Sequence, residues 1–136
     1  METPLPSAPG EQRLGGDALG LPLLIALGSM RARSAQRLVW HAHPGYEFLF
    51  LLEGKTSYEF ESGSPQELTG GQFLLIPRGA RHRGGQDYRM PSLLCGIQFD
   101  PVHRAACENS VFSPADLAAL EEQLRPLGPC EREMPR

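Results

Sequence analysis

The sequence predicts an all-β domain, a barrel or sandwich of short strands finished by one C-terminal helix. Three observations carry this. The chain of 136 residues holds 15 glycines and 13 prolines, many for a helical protein and well suited to frequent turns. Its apolar segments are short, alternate with period two or run apolar on both faces, and recur at the spacing of a barrel or sandwich. Helical periodicity with cap signals occurs only near the end. A chain of this length supports one core that buries roughly two thirds of its surface.

In chain order, residues 1–17 lack hydrophobic periodicity and carry Pro4, Pro6, Pro9, Gly10, Gly15 and Gly16, so a flexible N-terminal arm is expected there. The barrel is expected over 18–112. Leu21 to Leu27 and Arg37 to Trp40 read as early strands on either side of Gly28 and Ser29. Glu47 to Leu52 is apolar on both faces, the pattern of a central strand covered on each side. Beyond Gly54, Tyr58 and Phe60 alternate with Ser57, Glu59 and Glu61, a half-buried strand. The run from Ser62 to Pro65 turns the chain. Phe73 to Ile76 follows Gly70 and Gly71 and is stopped by Pro77, and Leu93, Cys95, Ile97 and Phe99 share one face of a further strand. In the last segment, 113–136, Ser113 reads as an N-cap, Pro114 as the first helical residue and Asp116 as the first-turn acid. Leu117, Leu120 and Leu124 fall on one helical face, and Pro126 and Gly128 close the helix.

Charge and cysteines narrow the function. Net charge is -3 and the 13 basic residues are scattered singly, so no stripe of Lys and Arg offers a footprint for nucleic acid. Three cysteines, Cys95, Cys107 and Cys130, include no C-x-x-C pair, which argues for a reducing compartment and a cytoplasmic location. The apolar stretch Ala18 to Met30 is too short to span a bilayer and contains Pro22, while Glu11 and Asp17 beside a lone Arg13 differ from the basic flank of a signal peptide. No membrane partner is expected.

Two clusters carry the chemistry. The first is His41-Ala-His43-Pro-Gly-Tyr-Glu47, then six residues to Gly54; the second is Gly71, five residues, Pro77-Arg-Gly79, two residues, His82. Two residues apart in extended chain, His41 and His43 leave the same face, and Pro44-Gly45 bends the chain before Glu47 opens the next strand. Pro77 and Gly79 make a sharp exit, and the turn that follows delivers His82 as a fourth candidate ligand. Three imidazoles and one carboxylate form a borderline-hard donor set suited to Zn, Fe, Mn, Ni or Cu and poorly suited to Ca or Mg. A set of side chains that merely hydrogen-bond one another inside the barrel is the alternative. An ionised carboxylate buried without compensation is costly, and a divalent cation would balance it.

These residues match the two-part cupin signature at eight fixed positions. At about one in ten per position, chance agreement is on the order of 10⁻⁸ per starting frame. The resemblance spans roughly Arg37 to Phe99 and implies a cupin double-stranded β-helix, a jelly-roll-like barrel. It departs from the signature at Ala35, where Gly usually precedes the histidine pair, and at Gln86, where Asn usually ends the second motif. Within the cupins, the stretches His41 to Gly54 and Gly70 to His82, the strand Leu94 to Pro101 and the Ser-Pro-capped helix most resemble the N-terminal sensing domain of AraC-type transcription regulators. That resemblance implies a barrel that binds a small effector such as a sugar or organic acid, an arm that closes over it, homodimers through the helical region, and DNA contact only through a C-terminal domain that this chain does not hold.

Tyr58, Phe60 and Gln98 are expected to line the barrel with the metal candidates His41, His43, Glu47 and His82, although alternating aromatics also serve as plain core. Arg78, Arg81, Arg83 and Arg89 offer guanidinium forks for an anionic effector, Arg78 foremost, or sit solvated in loops. Two functions are weighed: the effector-sensing domain of an AraC-like regulator, and a stand-alone cupin metalloenzyme of the oxygenase, isomerase or decarboxylase type. No further acid or base at a telling spacing accompanies the cluster.

Overall fold

The structure, a computed structural model, describes residues 10–133. In order they form β1 (Glu11–Gly15), a short α1 (Gly16–Leu19), β2 (Leu24–Ala32), β3 (Gln36–Arg37), β4 (Tyr46–Phe60), β5 (Gln66–Thr69), β6 (Gln72–Ile76), β7 (His82–Gly84), a 3-10 turn (Gly85–Asp87), β8 (Tyr88–Arg89), β9 (Ser92–Phe99), α2 (Pro114–Leu124) and β10 (Cys130–Glu133). The fold is all-β with one substantial helix, as the sequence predicts. Among the described residues no helix is long and apolar enough to cross a membrane.

β4 organises the barrel. Its first half lies between β6 and β9 in the sheet β1-β2-β9-β4-β6-β10, and its second half pairs with β5 and β7. The two strands expected on either side of Gly54 are therefore one strand bent near that glycine, and the register with β9 shifts just before it, between Leu51 and Glu53. Gly54 takes φ +96°, and a Cβ there would lie 2.7 Å from the carbonyl oxygen of Pro91, so only glycine fits the bend.

Alternation along the strands sorts the side chains. Leu49, Leu51, Tyr58, Leu68, Leu74, Ile76, Met30 and Leu94 point inward and form the main core. On the outer face Tyr46, Phe48, Leu75, Ile97 and Phe99 pack beneath Leu120 and Leu124 of α2, so the two-sided apolar strand is covered by the chain's own helix. The helix begins as its sequence requires: Ser113 Oγ accepts from the Asp116 N–H at 3.1 Å, and the Ser113 N–H donates to the Asp116 carboxylate at 2.8 Å.

Three expected boundaries shift. Residues 11–15, read as part of a flexible arm, form β1, paired with β2 from Glu11 opposite Met30 to Gly15 opposite Ala26. Backbone pairing with an open sheet edge needs no hydrophobic periodicity, which is why the sequence pattern is silent there. The first nine residues of that arm lie outside the described residues. The early strands occupy Leu24–Ala32 and Gln36–Arg37 rather than Leu21–Leu27 and Arg37–Trp40. The patternless tail contributes β10, whose backbone pairs with β6.

Candidate metal centre

Backbone hydrogen bonds bring the two motifs together. The N–H of His41 donates to the carbonyl of His82 and the N–H of His82 to the carbonyl of His41, both at 2.9 Å, which sets the two residues directly opposite as an antiparallel pair. Opposed residues in such a pair project to the same side, and the two rings stand 4.2 Å apart between centroids. His43, two residues on from His41, adds its ring at 5.0 Å from His41 and 5.4 Å from His82. One ligand atom from each of the three imidazoles lies within 4.8 Å of the others.

The carbonyls behind the rings orient them. His41 Nδ1 donates to the Val39 carbonyl and His82 Nδ1 to the Ala80 carbonyl, each at 2.8 Å. With Nδ1 committed, the Nε2 lone pair of each ring is free for a metal, the outer support usual for imidazole ligands. Phe60 stacks against His82 at 5.7 Å and holds the ring from below.

Glu47 completes the set. It opens β4 opposite Gln98 of β9, its Oε2 stands 3.0 Å from His43 Nε2, and it is buried. Burial by itself pushes its carboxyl up, but the hydrogen bond from His43, the attraction of the His43 and His82 rings and the hydrogen bond from Gln98 together hold it below the usual carboxylate value. Burial presses the His82 ring down to about 4, with His41 adding to the effect against the Ala80 hydrogen bond. His41 is also lowered, mainly by burial. The resting site thus holds an ionised carboxylate beside His41 and His82, whose lowered values keep those two rings neutral at neutral pH, the protonation state that metal binding requires of them. The donors fit a first-row divalent ion in kind: two metal–nitrogen bonds of about 2.0–2.1 Å reach donors at most about 4.2 Å apart, so ligand atoms now up to 4.8 Å apart would close in on the cation, which would replace the proton shared by His43 and Glu47.

The four residues lie at one end of a cavity of about 530 Å³. Tyr58 and Gln98 line it as expected. Phe60 does not; at the end of β4 it reaches beneath His82 and belongs to the core. Arg78 is also placed elsewhere. The turn at Gly79, whose φ is +69°, aims it outward, where its Nη2 meets Asp100 and Glu121 at 3.0 Å each and its guanidinium lies 4.9 Å over the Tyr46 ring. Arg78 therefore clips α2 to the barrel and leaves the cavity to others. Sequence reasoning passed over Glu11 and Arg13 of β1, which line the cavity, because nothing in the pattern of 1–17 marks a strand.

A cupin-domain family model matches residues 31–91, the stretch that holds all four donors. Among solved structures, the chain superimposes on a candidate mannose-6-phosphate isomerase from Ralstonia eutropha JMP134 with TM-score 0.51 and 21% identity, over 68% of this chain and 87% of that one. It also superimposes on oxalate decarboxylase of Bacillus subtilis, a protein with Mn(II) centres, with TM-score 0.54 and 15% identity, over 93% of this chain and 38% of that one. A mutant of the same decarboxylase gives TM-score 0.55 and 19% identity, over 80% of this chain and 29% of that one. Identities this low establish the fold alone. No curated protein matches the chain.

Proposed function

We propose that this chain, a cupin barrel, is a small-molecule sensing domain built around a divalent transition-metal site, of the kind that the AraC-type regulators it resembles carry ahead of their DNA-binding domains. One observation carries the reading: three imidazoles and a buried carboxylate meet at the end of a cavity large enough for a small organic molecule. His41, His43, His82 and Glu47 would hold the metal, which when bound would polarise an oxygen of the ligand.

The chain's own residues supply the rest. Tyr58 and Gln98 present a hydroxyl and an amide to the ligand, and Glu11 and Arg13 of β1 stand in the cavity wall. A bound molecule would touch the N-terminal strand directly, and the turn carrying His82 adjoins Arg78, which clips α2. Ligand would favour one arrangement of β1 and α2 only through a difference in its affinity for the two states. In this reading the chain forms homodimers, and DNA contact falls to a domain outside these 136 residues. The test is a thermal-shift and metal-content survey of the purified chain with Zn, Mn, Fe, Ni and Cu salts, sugars and organic acids. A chain that responds to none of them is not a sensor.

A second reading, a cupin metalloenzyme, is favoured by the donor set lining a cavity that could admit a substrate, and by the enzymes among its structural relatives. Turnover of any substrate should then vanish in a His41→Ala, His82→Ala double variant; turnover that survives discards a metal mechanism.

A further inference from the structure

Arg89 is a cation in the cavity wall that forms no ion pair with a carboxylate among the described residues. Its Nη1 donates to the thioether of Met30 at 3.3 Å, a weak acceptor, and its Nε is sealed from water without a hydrogen-bond partner. The other arginines of this stretch each meet a carboxylate, Arg78 those of Asp100 and Glu121, Arg81 that of Glu61 and Arg83 those of Glu59 and Asp87, although the Arg78 Nε is itself buried without a partner. Facing the same space is Tyr58, fully buried, whose hydroxyl lies against the Arg89 guanidinium. A guanidinium that no carboxylate balances and a phenol beside it, both lining one cavity, form a receptor for an anion, since a buried cation is costly without a counter-charge and both groups can donate.

We propose that the cavity takes a carboxylic acid with an apolar body, its carboxylate docked on Arg89 and Tyr58 and its other end directed to the histidine cluster. The planar, two-oxygen carboxylate matches one guanidinium edge. A phosphate dianion fits less well, because its second charge would face the Glu11 and Glu47 carboxylates, which line the same cavity together with Arg13 and Arg37. An apolar body follows from Met30, Leu38, Leu49 and Leu94, which line the same cavity. The proposal rests on the reading of this cavity as the small-molecule site and does not require the metal.

Calorimetric titration tests it with benzoate and hexanoate as probes, against benzamide, inorganic phosphate and glucose, on EDTA-treated and Mn-loaded protein. The wild-type chain should bind one of the two carboxylates saturably, with benzamide and phosphate weaker by about tenfold or more, the size of a charge-assisted pair. Arg89→Gln should lose about tenfold or more in carboxylate affinity while Arg89→Lys retains part of it, and Tyr58→Phe should lose several-fold. Should Arg89→Gln fail to fold, the comparison of benzoate with benzamide on wild-type protein decides alone. The assignment is overturned if neither carboxylate binds, if benzamide or phosphate binds as well, or if a folded Arg89→Gln protein binds benzoate unchanged. Preferred binding of glucose would remove the acid and keep the sensing site, whereas a chain that takes up no metal yet binds benzoate would remove the metal and keep the acid.

Discussion

The backbone N–H of Gly79 donates to the carbonyl of His43 at 3.0 Å. That bond hangs the turn that delivers His82 on the corner that delivers His43, so the two halves of the site move as one. Gly79 sits at φ +69° in open space, where an added methyl meets nothing but the backbone is strained. Gly79→Ala should therefore lower stability by about 1 kcal/mol and Gly54→Ala, which also collides with Pro91, by clearly more. Urea midpoints of the two variants measure this; equal midpoints would remove the steric account of Gly54.

Glu121 is a second tie, between α2 and the barrel. It is buried, accepts from the Tyr46 hydroxyl at 3.2 Å through one oxygen and from Arg78 at 3.0 Å through the other. Glu121→Ala should strand the Tyr46 hydroxyl and remove one of the two carboxylates on Arg78 Nη2, leaving only Asp100, at about 1–3 kcal/mol. The loss should fall on α2 first, so limited proteolysis should cut near 114–124 before the barrel opens. Cleavage that begins within the barrel would show that Glu121 does not hold the helix.

The four donors were legible in the sequence because extended chain puts His41 and His43 on one side, a turn at Pro77 and Gly79 precedes His82, and together these residues resemble a two-part cupin signature; that His82 stands opposite His41 is seen only in the structure. The capped helix was legible for a similar reason, since Ser113, Pro114 and Asp116 act within one turn. What stayed hidden depends on partners far along the chain. Arg78 reads as a cavity residue until Asp100 and Glu121, 22 and 43 residues away, claim it. The strand at residues 11–15 exists because β2 offers an edge, and its own residues do not announce it. Gln86, where the related pattern has Asn, adopts φ 55°, and its N–H donates to Glu59 at 3.1 Å, so a distant carboxylate supports a conformation that Gln favours less than Asn.

Acid should weaken the metal-free protein over a defined window. His82 titrates at about 4 in the folded chain against an ordinary 6.5, so below 6.5 the unfolded chain binds a proton that the folded chain refuses. Stability is then full above about 6.5 and is lost as pH falls toward 4, by on the order of 3 kcal/mol from this ring. His41, lowered likewise, adds to the same limb, and Glu47, held below its usual value, extends it to lower pH. His82→Gln should flatten the curve between pH 6.5 and 4. Chemical denaturation in EDTA across that range reads it; an unchanged slope in the variant would mean that His82 is not the group refused a proton.

Glu47 separates metal affinity from fold stability. In the metal-free chain its charge is buried among imidazoles with only hydrogen bonds from His43 and Gln98 to balance it. Gln has the same shape, accepts the His43 hydrogen bond through its carbonyl oxygen and carries no charge to desolvate. Glu47→Gln should therefore leave the EDTA-treated protein within about 1 kcal/mol of wild type or make it more stable, as replacing a poorly compensated buried charge often does. The same change removes the one anionic donor, so affinity for Zn or Mn should drop by about tenfold or more. Thermal melts in EDTA and metal titrations of both proteins supply the two numbers. A variant that melts far lower without metal would make the carboxylate a structural group, and one that binds metal as tightly as wild type would leave the three histidines as the whole site.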